Sequence, residues 1–461
     1  MSRTTAAELT PVPQARRIVG FLGLAIASFL GCIDLTIVTT ALPSITHDLD
    51  TSLGVSQLVL SAFLTALAMF MVTAGRLGDH LGRKPTLLIG AAVFVLASVG
   101  AALAPSIGWL VAARFVQGAA CAILYTGTST LVETLFEEGA RGRAIGWLYA
   151  VNGIGLALGP VLGGLLVPAF GWAAVFWINV PFGVVALAAV AVAVPAPAPS
   201  RQAGLDLPGQ TLVAVTVAAL VAVASLPETT GWFGAPMAIA AVLAVVCGVA
   251  TAVVERRART PLLRPTLFTH PRFRVALASD FFLAVFYASA LLVLPPYLAD
   301  RHHLDVRTTG LSLLLVSATM ALASPRVGRW VDRSGPTTPL KWGFGAFTGT
   351  AVLVVLGALS GSLPLLLVGF VFFGAGWALI LAPATLAALS AVDTDEAGFA
   401  VGASWTFHNL GGALGAAVAA GLYAATSPQT GLLHVGFVLL GAAIVGLLAN
   451  LLITRSAQSD R

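Results

Sequence analysis

The chain of 461 residues is 58% hydrophobic and only 9% charged, with a mean hydropathy of +0.95, a balance that excludes an ordinary soluble domain. Its net charge of +5 does not mark a nucleic-acid binder, because the basic residues sit in short clusters between apolar stretches and not along one patch. Cys32, Cys121 and Cys247 lie in apolar runs and form no disulfide framework, and the lack of any Gly-Lys dipeptide, HExxH or GxSxG argues against an enzyme that hydrolyses ATP or another bond, with no cofactor or metal expected.

A helix needs about 20 apolar residues to cross roughly 30 Å of hydrocarbon. That template predicts an all-α polytopic membrane protein with fourteen spans, near 18–41, 54–75, 85–104, 108–131, 143–168, 172–194, 207–226, 234–254, 273–298, 309–331, 338–360, 363–388, 399–424 and 430–453. The first is too long and too deep in the chain for an ordinary cleaved signal. An even count puts both termini on one side. Placing them in the cytoplasm leaves only Arg301 and Arg307 outside and Arg114 within the membrane, as the excess of Lys and Arg in cytoplasmic loops requires.

Span 1 holds Asp34, nine residues before Pro43, and span 4 holds Arg114, nine residues after Pro105. At 1.5 Å per residue both lie about 13 Å below the outer surface. An ionised group in hydrocarbon is costly unless paired or hydrated, so the two are expected to face each other across a central cavity. They form either a protonation switch or a static bridge between helices.

Between spans 2 and 3 runs Gly75 to Lys84, GRLGDHLGRK, and a worn copy, GRWVDRSG, recurs 253 positions later at Gly328 to Gly335. Repetition of a charged turn at one place in two halves is the mark of a two-halved transporter. Gly75, Gly78 and Gly82 suit a tight reversal, Asp79 suits a helix N-terminus, and Arg83 and Lys84 stay at the surface. Glu133, Arg141 and Arg143 enter the same layer from loop 4–5. The group is either a latch at the seam of the halves or charge expected there by topology alone.

Span 5 reads NGIGLALGPVLGG, with Gly155, Gly159, Pro160 and Gly163 in a pattern that allows close helix approach and a bend. Its echo, Gly411 to Gly415, lies in span 13 at an offset of 256. A Pro-rich link (Val194 to Ser200), spans 7 and 8, and a basic link (Glu255 to Arg274) separate the two sixes. The expected organisation is a cytoplasmic tail 1–17, a six-helix bundle 18–194, a linker with two inserted helices 195–272, a second bundle 273–453, and a tail 454–461. Asp280 in span 9 either meets a cationic substrate or pairs with Arg272 or Arg274. His408 in span 13 either titrates or makes an ordinary helix contact. With Tyr287 and Trp405 these form the expected substrate cavity, and Tyr287, at the offset position of Asp34, confines the charge pair to the first half.

Together these segments resemble the major facilitator superfamily, in particular its fourteen-span drug/proton antiporters, over nearly the whole chain. Residues 75–84 resemble the loop 2–3 signature, Leu110 to Gly118 (LVAARFVQG) the span 4 signature, Asp34 to Pro43 the span 1 signature, and the span 5 glycines and proline the antiporter signature. The resemblance implies two six-helix bundles plus two inserted helices, and proton-driven export of hydrophobic or cationic small molecules from a bacterial inner membrane by a monomer. It places proton coupling at Arg114 beside Asp34. Its rivals are a dedicated metabolite exporter, a monovalent-cation/proton antiporter and a non-transporting sensor. The chain departs from the family in having Ala173 and Ala174 after Trp172, and His408 where an arginine is common.

Overall fold

The computed structural model describes residues 13–197, 207–225, 234–257, 265–424 and 426–459, and among them the secondary structure is helical throughout. The main helices are α1 (Gln14–Asp48), α2 (Leu58–Leu81), α3 (Arg83–Ala102), α4 (Ile107–Leu135), α5 (Glu138–Phe170), α6 (Ala174–Ala193) and α7 (Leu207–Ser225). There follow α8 (Ala235–Arg257), α9 (Pro271–His302), α10 (Val306–Ser334), α11 (Thr337–Ser360), α12 (Leu363–Leu389), α13 (Ala397–Ala424) and α14 (Pro428–Ser459). Eleven of the described helices are long and apolar enough to cross a membrane. α7 and α8 contain the shorter apolar stretches Pro208–Val223 and Met237–Thr251, and α13 runs for 28 residues.

Helix is what a bilayer demands of these apolar stretches, because no water is present to satisfy a free amide or carbonyl. The helix ends are closed by local chemistry. Ser106 caps α4 by accepting from the Trp109 amide, and Asp305 caps α10 by accepting from the Thr308 amide at 2.9 Å. The Thr308 hydroxyl and amide also hold the Asp305 carboxyl below its ordinary pKa. Large apolar side chains such as Leu96, Phe170, Val192, Leu322 and Trp342 point outward, a surface suited to lipid and not to water.

α1 packs on α5 and α6, α2 on α4, and α3 on α4 and α6; α9 packs on α13 and α14, and α11 on α12 and α14. The first six helices and the last six meet along two seams, α2 against α13 and α5 against α10. α7 lies on α8 and touches both α2 and α13.

Two boundary expectations are corrected. α1 runs through Pro43 to Asp48, so Asp34 lies fourteen residues from the helix end, about 21 Å at 1.5 Å per residue. The stretch Gly75 to Lys84 is not a loop: α2 continues to Leu81 and α3 starts at Arg83. Only Gly82 forms the turn, at φ 100°, and its counterpart Gly335 turns at φ 75° between α10 and α11. This left-handed backbone explains why the repeat preserves glycine at these two positions.

Candidate functional site

α1, α3, α4 and α6 converge on one carboxylate. Arg114 of α4 donates through Nη1 to Asp34 Oδ2 and, at 2.7 Å, to Gln117 Oε1. Gln117 Nε2 donates to Asp34 Oδ1 at 3.2 Å and to Ser98 Oγ at 2.8 Å, while Asn179 Nδ2 donates to Asp34 Oδ1 at 2.9 Å. The guanidinium also donates from Nε to the Val59 carbonyl at 3.2 Å and lies 4.1 Å from the Phe63 ring centroid. Asp34, Arg114, Gln117 and Asn179 are all fully buried. The two charges therefore touch directly inside the first six helices and do not face each other across an open cavity. A carboxylate with three donors is satisfied as an acceptor. Arg114 Nη2 and Asn179 Oδ1 have no hydrogen-bond partner, so the network keeps one unused donor group and one unused acceptor.

Sequence reasoning found the two charges and missed the three neutral partners. Gln117 stands three residues after Arg114, on the same helix face. Ser98 and Asn179 are polar residues inside apolar runs, the signal that located Asp34.

The repeated stretch builds a second assembly. Asp79 accepts from the amides of Gly398 at 3.1 Å and Phe399 at 2.9 Å, at the N-terminus of α13. Asp332 accepts from the amides of Gly142 at 2.7 Å and Arg143 at 2.9 Å, near the N-terminus of α5. Asp79 thus satisfies helix-start donors that have no partner within their own helix, whereas Gly142 and Arg143 are the fifth and sixth residues of α5. The preceding glycines serve approach and not reversal: a Cβ on Gly75 would strike the Gly398 carbonyl, and one on Gly328 the Gly142 carbonyl. Arg83 donates to Asp79 at 3.3 Å and to the Thr394 carbonyl, and lies 3.7 Å from Glu133, which lies 3.9 Å from Arg141. Arg143 contributes its backbone amide.

Between the two halves lies a run of rings. Trp405 of α13 stacks on Tyr125 of α4 with centroids 4.9 Å apart and planes 4° apart, and lies 4.8 Å from His408. His408 lies 5.3 Å from Tyr287, which stacks on Trp377 at 4.6 Å. Tyr149 of α5 shares a 2.7 Å hydroxyl hydrogen bond with Thr385 of α12. Asp280 is buried and accepts from the Ser404 hydroxyl; its Oδ1 has no partner. It makes no ion pair among the described residues, so the expected alternative of pairing with Arg272 or Arg274 is set aside. His408 Nδ1 also lacks a partner. Tyr125, Tyr149 and Trp377 were not anticipated, because an aromatic residue in an apolar span carries no sign of which face it occupies.

In α5 the glycines face α1. A Cβ on Gly155 would lie 3.0 Å from the Phe29 ring, and Cβ atoms on Gly159 and Gly163 would strike the hydroxyls of Thr36 and Thr40. Pro160 lies within α5. Among the described residues no group of His, Cys, Asp and Glu has a metal-binding arrangement.

The Major Facilitator Superfamily profile matches residues 24–416. The chain is 32% identical over 412 residues to the multidrug resistance protein Stp of Mycobacterium tuberculosis, covering 89% of this chain and 76% of that protein. It is 31% identical over 400 residues to the tetracenomycin C resistance and export protein of Streptomyces glaucescens, covering 86% and 74%. It is 32% identical over 423 residues to the puromycin resistance protein pur8 of Streptomyces alboniger, covering 88% and 82%. The crystal structure of the human organic anion transporter MFSD10 (TETRAN) superposes with a TM-score of 0.66 at 18% identity, over 94% of this chain and 100% of that one, a likeness of fold.

Proposed function

This chain belongs to the Major Facilitator Superfamily, and on that premise we propose that it exports hydrophobic small molecules, drugs or antibiotics, in exchange for protons by alternating access. The observation that carries the reading is the buried Asp34 carboxylate with its donors Arg114, Gln117 and Asn179. Protonation converts an acceptor-only group into one that holds a donor, so one proton is enough to disorganise a network spanning four helices. The resistance and export proteins among the relatives favour a drug over an ordinary metabolite or an alkali cation.

In this reading the chain crosses a bacterial inner membrane fourteen times, as a monomer with both termini in the cytoplasm. Residues 18–194 and 273–453 are the moving halves, and 195–272 carry the inserted pair α7 and α8. The Asp79 and Asp332 contacts close the cytoplasmic end. The rings around Trp405, Tyr287 and His408, with Asp280 beside them, hold the substrate.

The test is made in everted vesicles with a preset proton gradient. Ethidium is expected to dissipate the gradient in a saturable way, with sodium and potassium having no such effect. A response to sodium or potassium alone would favour a cation antiporter, and no proton release with any compound of a resistance panel would overturn the transport reading.

The cavity assignment makes a separate prediction. Aromatic faces and one acid attract apolar cations, so Asp280→Asn and Trp405→Ala are expected to change the rank order of exported compounds. Cationic dyes should lose about tenfold against neutral drugs, corresponding to roughly 1.4 kcal/mol. A uniform fall across the panel would instead assign these residues to packing or coupling.

A further inference from the structure

Pro160 has no amide hydrogen, so the carbonyl four residues earlier in α5 loses its helical donor. That carbonyl belongs to Leu156. Thr36 of α1 donates its hydroxyl to the Leu156 oxygen at 3.2 Å, and lies 3.3 Å from its own helix's Ile33 oxygen. The reach is possible because position 159 has no side chain: a Cβ there would lie 2.8 Å from Thr36 Cβ and 2.9 Å from the Ile37 amide nitrogen. A hydroxyl from one helix thus fills the vacancy that proline opens in another.

Thr36 stands two residues from Asp34, about 200° around α1. Asp34 faces α4 and α6 while Thr36 faces α5. The charged group facing Asp34 from its neighbours is Arg114 of α4, with the Cys121 thiol of the same helix nearby. α3 and α6 present the neutral Ser98 and Asn179 to the network, and α5 presents Gly155, Leu156 and Gly159 to α1. α5 in turn forms the seam with α10, where a Cβ on Gly146 would meet the Ser324 carbonyl.

We propose that Thr36 is a positioning residue of the proton step, tying the helix that bears Asp34 to the bend at Pro160, so that the charge state of Asp34 is felt at the α5–α10 seam. The proposal rests on the exporter reading above. The second half supplies an internal control. Ser289, at the offset of Thr36, donates to the Gly415 carbonyl of α13 at 2.8 Å, but Ala416 stands where the first half has Pro160, so that hydroxyl fills no vacancy.

The experiment is a double-mutant cycle of Thr36→Val and Pro160→Ala, with Thr36→Ser and Ser289→Ala beside it. Ethidium efflux from proteoliposomes is measured across pH, and Tm in lipid nanodiscs. Thr36→Val is expected to slow efflux about tenfold and to move the pH of half-maximal efflux, Thr36→Ser to stay within about twofold of wild type, and Ser289→Ala to leave the pH midpoint in place. Pro160→Ala restores the missing amide, so adding Thr36→Val in that background is expected to change nothing further. If Pro160→Ala alone stops efflux, the same cycle is read on Tm, with a loss in the proline background and none in the alanine background. Equal losses in both backgrounds, or a wild-type pH midpoint in Thr36→Val, would overturn the proposal. Wild-type pH dependence in Asp34→Asn would instead overturn the exporter's proton step, leaving the Thr36 to Pro160 coupling to be judged by the cycle on Tm alone.

Discussion

In the Asp34→Asn protein, export of ethidium against its gradient is expected to stop, while exchange of ethidium down its gradient continues. An amide fills the space of the carboxylate but cannot take up or release a proton, so the two directions of drug movement separate. The substitution is not silent for stability. Arg114 loses its counter-charge, and breaking a buried pair from one side costs about 3–5 kcal/mol when nothing compensates. Here Gln117 Oε1, the Val59 carbonyl and the Phe63 ring remain to hold the guanidinium, so the protein is expected to fold with a lowered Tm. Vesicle efflux and counterflow, measured on the same preparation, decide the matter. Continued uphill export by the mutant would remove Asp34 from the proton path.

The second large effect is expected at the repeated aspartates. Asp79→Asn leaves one acceptor oxygen where there were two, so either the Gly398 or the Phe399 amide loses its partner, and the charge that Arg83 meets disappears. A buried donor without a partner costs about 1–3 kcal/mol, enough to shift a two-state population about 5–150-fold. Spin labels at Leu81 and Ser334, in a protein with Cys247 replaced by alanine, are expected to show a longer-distance population in Asp79→Asn that is nearly absent from wild type. Unchanged distances together with lost transport would give Asp79 a role other than holding that end shut.

Most of the architecture was legible because a bilayer makes hydropathy and charge speak plainly: an apolar run of span length has little choice but to be helical. Helix ends were less legible. α1 passes through Pro43 because one proline removes a single amide donor, the one that would meet the Thr39 carbonyl, and does not by itself end a helix in a bilayer, and α2 absorbs a glycine-rich charged stretch because Gly75 is needed for contact with Gly398 and not for a turn. The two charges of the buried network were legible because charge in hydrocarbon is rare. Gln117, Asn179 and Ser98 were not, since neutral polar residues occur in spans for many reasons and only the fold brings three helices around Asp34. The aromatic run was least legible: Tyr125 and Trp405 are 280 positions apart, and nothing local in either span announces the other.

The two aspartate contacts differ in their surroundings. Arg83, Glu133 and Arg141 brace Asp79, whereas the offset partners of Arg83 and Glu133 are Pro336 and Leu386, and Asp332 makes no ion pair among the described residues. α7 adds to the imbalance by bridging α2 and α13. In the exporter proposed above, two fasteners braced so differently are expected to part at different points of the cycle, the unbraced Asp332 contact before the braced Asp79 contact. A crosslink across α5 and α10 is then expected to arrest the cycle at an earlier step than one across α2 and α13.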